Sequence, residues 1–122
     1  MYGKKNWFFP DAELPPKGMN TDLPGHESVI ILNPNEQEAE IEIILHWTDK
    51  APSRPIKFTV GAGLTRCVRC VAPDGFMGRI PVEEGVQYAI AVHSTVPVIA
   101  QYGRLDMRTG SMAFYTTPGY GE

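Results

Sequence analysis

Hydrophobic and polar residues alternate along most of this chain with the period of two that a half-buried β-strand requires. Ala39, Ile41, Ile43, Leu45 and Trp47 fall on one face, Glu40, Glu42 and His46 on the other, and Ile44 alone breaks the pattern. Ile56, Phe58 and Val60 alternate with Lys57 and Thr59. Gly61-Ala62-Gly63 then interrupts before a second run over 64–71, and this pair predicts a hairpin. Val86, Tyr88, Ile90 and Val92 alternate with small or polar neighbours, and the run resumes over 96–102 after Ser94-Thr95, which predicts a second hairpin. Residues 28–32 form a short apolar run stopped by Asn33-Pro34-Asn35, 112–117 is a late β-prone segment, and 7–9 adds an edge. Seven or eight short strands separated by Pro, Gly, Asn and Asp, with no amphipathic helix beyond two turns, predict an all-β antiparallel sandwich of jelly-roll type.

Composition adds limits to this picture. A chain of 122 residues with 43% hydrophobic and 20% charged residues suits one domain over 1–122 with one core. Of the eleven prolines, four fall within 9–25, a stretch with little periodicity that is expected to wrap irregularly over the sandwich, while 118–122 is expected to be a mobile tail. No run of about eighteen apolar residues and no apolar targeting stretch is present, so a cytoplasmic location is expected. A formal charge of −3 gives no global basic field for nucleic acid or an anionic membrane.

Candidate chemistry is sparse. Cys67 and Cys70 stand three apart on an expected strand and point to opposite faces, which argues against a disulfide. A second Cys pair to complete a zinc site is missing and the three histidines lack ligand spacing, so neither metal nor cofactor is expected. No nucleophile elbow, phosphate loop or metalloprotease motif occurs, so no catalytic residue is assigned and a binding module is favoured over an enzyme.

The densest polar group is Gln101, Arg104, Asp106 and Arg108, at the end of a strand and the start of its loop. An Arg fork, an Asp acceptor and a Gln that both gives and accepts form an inventory that holds hydroxyls or a carboxylate. The same residues could equally brace a β-bulge or an intersubunit ion pair. His26 and Glu27 precede an apolar run, where they either line a rim or anchor a loop. Arg69, inside an apolar stretch, is either paired with a carboxylate or turned outward. Trp7, Trp47, Tyr88 and Tyr102 at strand alternation read as core before they read as platforms for a sugar ring.

The ordered string of segments resembles the sensory rhodopsin transducer family of small prokaryotic proteins. The residues that carry the resemblance are Trp7, Pro15-Pro16, the block 26–33 running from His-Glu-Ser-Val to Ile-Leu-Asn, Thr48-Asp49-Lys50, Val68-Arg69, Ser94 with Val96-Pro97-Val98, and Gln101 with Arg104-Leu105-Asp106 and Arg108. The resemblance covers nearly the whole chain. It implies a β-sandwich that forms a homotetramer and serves as a soluble signalling partner or as a domain that binds a sugar or related polar metabolite. By the same resemblance His26, Glu27, Asn33, Arg69, Gln101, Arg104 and Asp106 fall on the family's polar motif and form the candidate ligand site. Family members are also linked to a membrane photoreceptor and to promoter DNA, although the acidic balance disfavours strong non-specific DNA binding. The chain departs from the family at Cys67, Cys70, Gly61-Ala62-Gly63 and the loop 73–85, which puts the photoreceptor docking surface in question. The competing reading is an oligomeric adaptor for a receptor or DNA with no metabolite ligand.

Overall fold

The computed structural model describes residues 1–18, 23–71, 80–109 and 111–122. Their strands are β1 (Lys4–Glu13), β2 (His26–Leu32), β3 (Ala39–Trp47), β4 (Ile56–Val60), β5 (Thr65–Val71), β6 (Ile80–Pro81), β7 (Gln87–Asp106), β8 (Ala113–Pro118) and β9 (Tyr120–Gly121). The fold is all-β, as the alternation predicts, and nearly closed on itself. Residues 19–22 of the Pro-rich stretch and 72–79 of the divergent loop lie outside the described residues. Among the described residues no helix is long and apolar enough to cross a membrane.

Strand β7 organises the fold. It is 20 residues long, and its first half pairs with β3 on one side and β1 on the other, while from Ile99 onward it pairs with β2 and then also with β8. One layer therefore runs β4-β3-β7-β1-β9 and the other β6-β5-β2-β7-β8, joined through the shared strand; among these described strands every pairing is antiparallel except β5 with β6. The second expected hairpin is thus absent, because Ser94-Thr95 is not a turn. The inward parity never changes across it: Tyr88, Ile90, Val92, Val96, Val98, Ala100 and Tyr102 are all buried. Pro97, which has no N–H to give, sits where β7 leaves one set of neighbours for the other, a position that spares a ladder bond.

The first expected hairpin is also corrected. β4 pairs with β3, and β5 pairs with β2, so the turn at Gly61-Ala62-Gly63 carries the chain from one layer to the other. Gly63, at φ +70°, supplies the left-handed residue of that turn. The inward residues of both strands, Val60, Val68 and Cys70, then meet the common core of Ile31, Ile41, Ile43, Leu45, Ile90 and Val98.

The edge strand expected at 7–9 runs on to Glu13. A register shift between Phe9 and Ala12 leaves Pro10 and Asp11 as a bulge, so that Phe9 and Ala12, three apart, both face the core. This slip hides the strand from a period-two reading. The last residues, expected to be mobile, instead form β9 on the outer edge of β1, with Asn6 N donating to Glu122 O at 2.9 Å and Glu122 N to Asn6 O at 2.8 Å.

Candidate functional site

The polar centre of the molecule is built around Glu27. On β2 it shares the inward face with Val29 and Ile31 and is 0% exposed. A carboxylate buried there must be supplied with donors. The Tyr88 hydroxyl donates to Glu27 Oε1 and the Tyr102 hydroxyl to Oε2. Both tyrosines come from β7, one from each half, so the long strand brings phenols from both layers onto one acid. The Tyr88 oxygen lies 3.4 Å from Cys70 Sγ. Burial holds the Glu27 carboxyl above its ordinary value of about 4.5, against the opposing pull of the Tyr102 and Tyr88 hydrogen bonds and the Arg104 charge. Burial, with the neighbouring acid and thiol, also pushes Tyr88 and Cys70 upward, and burial with the neighbouring acid does the same for Tyr102, so these groups stay protonated.

Arg104 stands directly opposite Glu27 in the β2–β7 register. Its Nε donates to the Tyr102 hydroxyl oxygen at 3.1 Å, and its guanidinium carbon lies 5.7 Å from the Tyr102 ring centre and 5.2 Å from that of Tyr115 on β8. Burial works against its charge, but the bond to Tyr102 and the surrounding aromatic and acidic groups outweigh it and raise its pKa. The side chain is 14% exposed, and Nη2 is buried without a hydrogen-bond partner among the described residues. Asp11, delivered by the β1 bulge, approaches Nη2 to 3.7 Å, close enough for an ion pair and too far for a hydrogen bond. Asp11 is 74% exposed and also accepts from Gln87 Nε2 at 3.1 Å. A buried donor, an adjacent exposed acceptor and the exposed ring of Tyr115 thus lie together where the end of β1 approaches β7 and β8.

The remaining expected site residues disperse. Asp106 accepts from the Arg108 backbone N–H at 2.9 Å and from Arg108 Nε at 2.8 Å; that backbone bond first, then the guanidinium, holds its carboxyl below the ordinary range. Arg108 also reaches Glu13 at 2.8 Å and has its pKa raised by Glu13 and Asp106. His26 is half-buried with Nδ1 2.9 Å from the Pro24 carbonyl, which is loop anchoring. Asn33 is fully buried and donates to the carbonyls of Gln37 (2.7 Å), Val60 (3.0 Å) and Gly61 (3.3 Å), pinning the turn between layers. Arg69 and Gln101 are exposed on the outward faces of β5 and β7. Glu27 and Arg104 are thus brought together, Asp106 lies near them on the rim, and His26, Asn33, Arg69 and Gln101 do not join them. Tyr88, Tyr102, Tyr115, Cys70 and Asp11 were absent from the expected set. The signal for Tyr102 lies in its two-residue spacing from Arg104, which puts both on one face, together with the need of any buried phenol for a partner.

A cavity of about 400 Å³ lies elsewhere, along β3 and β4, lined by Glu40, Ile41, Glu42, Lys57, Phe58 and Thr59. Among the described residues no group of three or more His, Cys, Asp or Glu could hold a metal ion.

Three comparisons bear on this architecture. The crystal structure of Thermotoga maritima 1070 superposes with a TM-score of 0.86 at 30% identity, covering 100% of this chain and 97% of that one. The Anabaena sensory rhodopsin transducer superposes with a TM-score of 0.69, also at 30% identity, covering 83% of this chain and 87% of that one. None of the curated proteins gives a significant match. The family model described as Anabaena sensory rhodopsin transducer matches residues 2–121, and with nearly its full length matched the chain belongs to the sensory rhodopsin transducer family.

Proposed function

We propose that this protein is a signal-transducing domain that binds a small hydroxyl-rich metabolite, a sugar or close relative, at Arg104 where the end of β1 approaches β8. Membership in a transducer family supports a signalling role over an enzymatic one. The observation that carries the ligand reading is the buried Arg104 Nη2, which has no hydrogen-bond partner among the described residues. A buried donor left unpaired costs free energy that a ligand oxygen would recover. Asp11 and, through Tyr102, Glu27 already face the guanidinium charge, so a neutral ligand suits the site better than an anion. Vicinal hydroxyls can accept from Nη2 and donate to Asp11 while the C–H face of a ring lies along Tyr115. Binding signals only where two states of the protein differ in affinity, and the bulged end of β1 is the wall of the site suited to respond.

Calorimetry with a panel of sugars and polyols tests this. Binding is expected for the wild type and at least tenfold weaker binding for Arg104→Gln and Asp11→Asn. Silence across the panel, or affinities unchanged by both substitutions, sinks the reading.

A second reading, the oligomeric adaptor, has its own support on the opposite face. Leu32 and Ile99 are direct cross-strand neighbours on the outer side of the second layer and remain 39% and 42% exposed. Paired apolar side chains left in water are a feature of contact surfaces. A homotetramer built through this face, read by a membrane photoreceptor or another signalling protein, predicts that Ile99→Lys lowers the mass measured by light scattering. DNA remains the less favoured partner for an acidic chain.

A further inference from the structure

Among the described residues the outer edge of β1 is covered along only a few positions, and the segment that covers it comes from this chain. Trp7 pairs with Gly121 and Phe8 with Tyr120, and Asn6 exchanges two backbone hydrogen bonds with Glu122. The side chains of this short strand contribute little burial, since Tyr120 is 65% exposed and touches the structure chiefly through its ring, 6.5 Å from that of Phe8. What the edge selects is the absence of side chains on either side of the tyrosine. A Cβ on Gly119 would lie 2.7 Å from Phe9 Cε1 and 2.9 Å from the Phe8 carbonyl oxygen, and one on Gly121 would lie 3.0 Å from the Trp7 ring and 3.1 Å from Lys4 Cγ. β1 begins with Lys4 and Lys5, both exposed and without an ion partner among the described residues, beside the point where the acidic Glu122 pairs.

We infer that the Asn6–Phe8 edge of β1 is a strand-docking site for an extended partner segment of the pattern small–aromatic–small followed by an acidic residue, and that β9 occupies it in cis. Strand addition draws its affinity from backbone hydrogen bonds and its selectivity from the alternate side chains, and an uncovered edge otherwise invites unspecific pairing. A two-residue cover with exposed side chains blocks such pairing while leaving the edge open to displacement by a matching segment, because elements with little buried surface open at low free energy. The inference is independent of the Arg104 reading, since no residue of that site takes part.

The test uses the full chain carrying Gly119→Val, whose added carbons meet the Phe8 carbonyl and the Phe9 ring and lift β9 away, together with a fluorescent peptide of sequence TPGYGE. Amide exchange should quicken at Asn6, and polarisation should show peptide binding at least tenfold tighter than to the wild type. A peptide with both glycines replaced by valine should not bind. Gly121→Val, which intrudes on the surface contacts of Trp7 and Lys4, serves the same purpose if Gly119→Val does not fold. Equal affinities for wild type and variants, binding that ignores the glycines, or an Asn6 amide still protected in both variants each overturn the inference. So does a wild-type dimer that Gly119→Val dissolves, since β9 of a second copy would then fill the edge.

Discussion

Glu27 and Arg104 face one another in register on β2 and β7, and the guanidinium reaches the carboxylate through the hydroxyl of Tyr102. That oxygen accepts from Arg104 Nε while its proton goes to Glu27 Oε2, so one phenol links a half-buried cation to a fully buried acid. The link fixes where the guanidinium sits and leaves Nη2 turned toward Asp11 at 3.7 Å.

Removing the link should be costly. Tyr102→Phe keeps the ring packed against Phe9 and Tyr115 but leaves Glu27 Oε2 and Arg104 Nε without their partner. The expected loss in urea unfolding is about 1–3 kcal/mol, the cost of stranding buried polar groups. In a Glu27→Gln background the loss should shrink, because the two substitutions touch the same hydrogen bond and groups in contact do not act additively. Strict additivity in the double-mutant cycle would show that the phenol and the acid do not act as a unit.

The buried acid also sets a direction for stability against pH. Its folded pKa is raised above the unfolded value, so the native state holds this proton more tightly than the unfolded chain does. The contribution is therefore full below the ordinary carboxyl value of about 4.5 and is lost as pH rises through the folded value. Wild type should lose stability relative to Glu27→Gln across that window, read as a falling difference between their urea midpoints from pH 4 upward. A difference that stays flat or grows would mean that the two phenols and Arg104 outweigh burial, and that Glu27 is ionised at no cost.

Much of this was legible in the sequence, and the failures have common physical causes. The all-β class follows from alternation, and the inward positions of β3 are the ones the pattern marks. Ser94-Thr95 misleads because small polar residues signal a turn, whereas the unbroken parity from Tyr88 to Tyr102 signals one bent strand. Local composition cannot say which strand pairs with which, so the Gly61-Ala62-Gly63 turn reads as a hairpin although it crosses between layers. The bulge at Pro10-Asp11 removes the periodicity that would have revealed the end of β1, and with it the residue that approaches Arg104. Glu27 was legible as polar, and its shared parity with Val29 and Ile31 marks it as buried.

Asn33 separates structural from binding roles within the expected site. Its amide holds three carbonyls and its Oδ1 accepts from the Asn35 N–H at 3.1 Å, all at the crossing between layers. Asn33→Ala should destabilise by about 2–3 kcal/mol through those stranded groups. Arg69→Ala and Gln101→Ala, on exposed outward faces, should stay within about 0.5 kcal/mol. Thermal melts of the three variants check this, and an Asn33→Ala protein that melts like the wild type would free Asn33 for a role in binding.

The two cysteines offer the simplest probe of whether the polar centre is sealed. Cys67 and Cys70 sit on opposite faces of β5, the first exposed and the second buried beside the Tyr88 hydroxyl. A thiol reacts as its thiolate, and burial pushes the Cys70 thiol up while also denying it contact with reagent. An aromatic disulfide reagent at pH 8 should therefore titrate one thiol per native chain quickly and a second only as fast as the surrounding strands open. Tyr88→Phe removes the hydroxyl that touches both the thiol and Glu27 Oε1, which loosens the wall and should hasten the slow reaction without altering the fast one. Two equally fast thiols in the wild type would mean that solvent reaches the centre through β5. In that case Glu27 could not carry the raised pKa, because the same burial raises both groups.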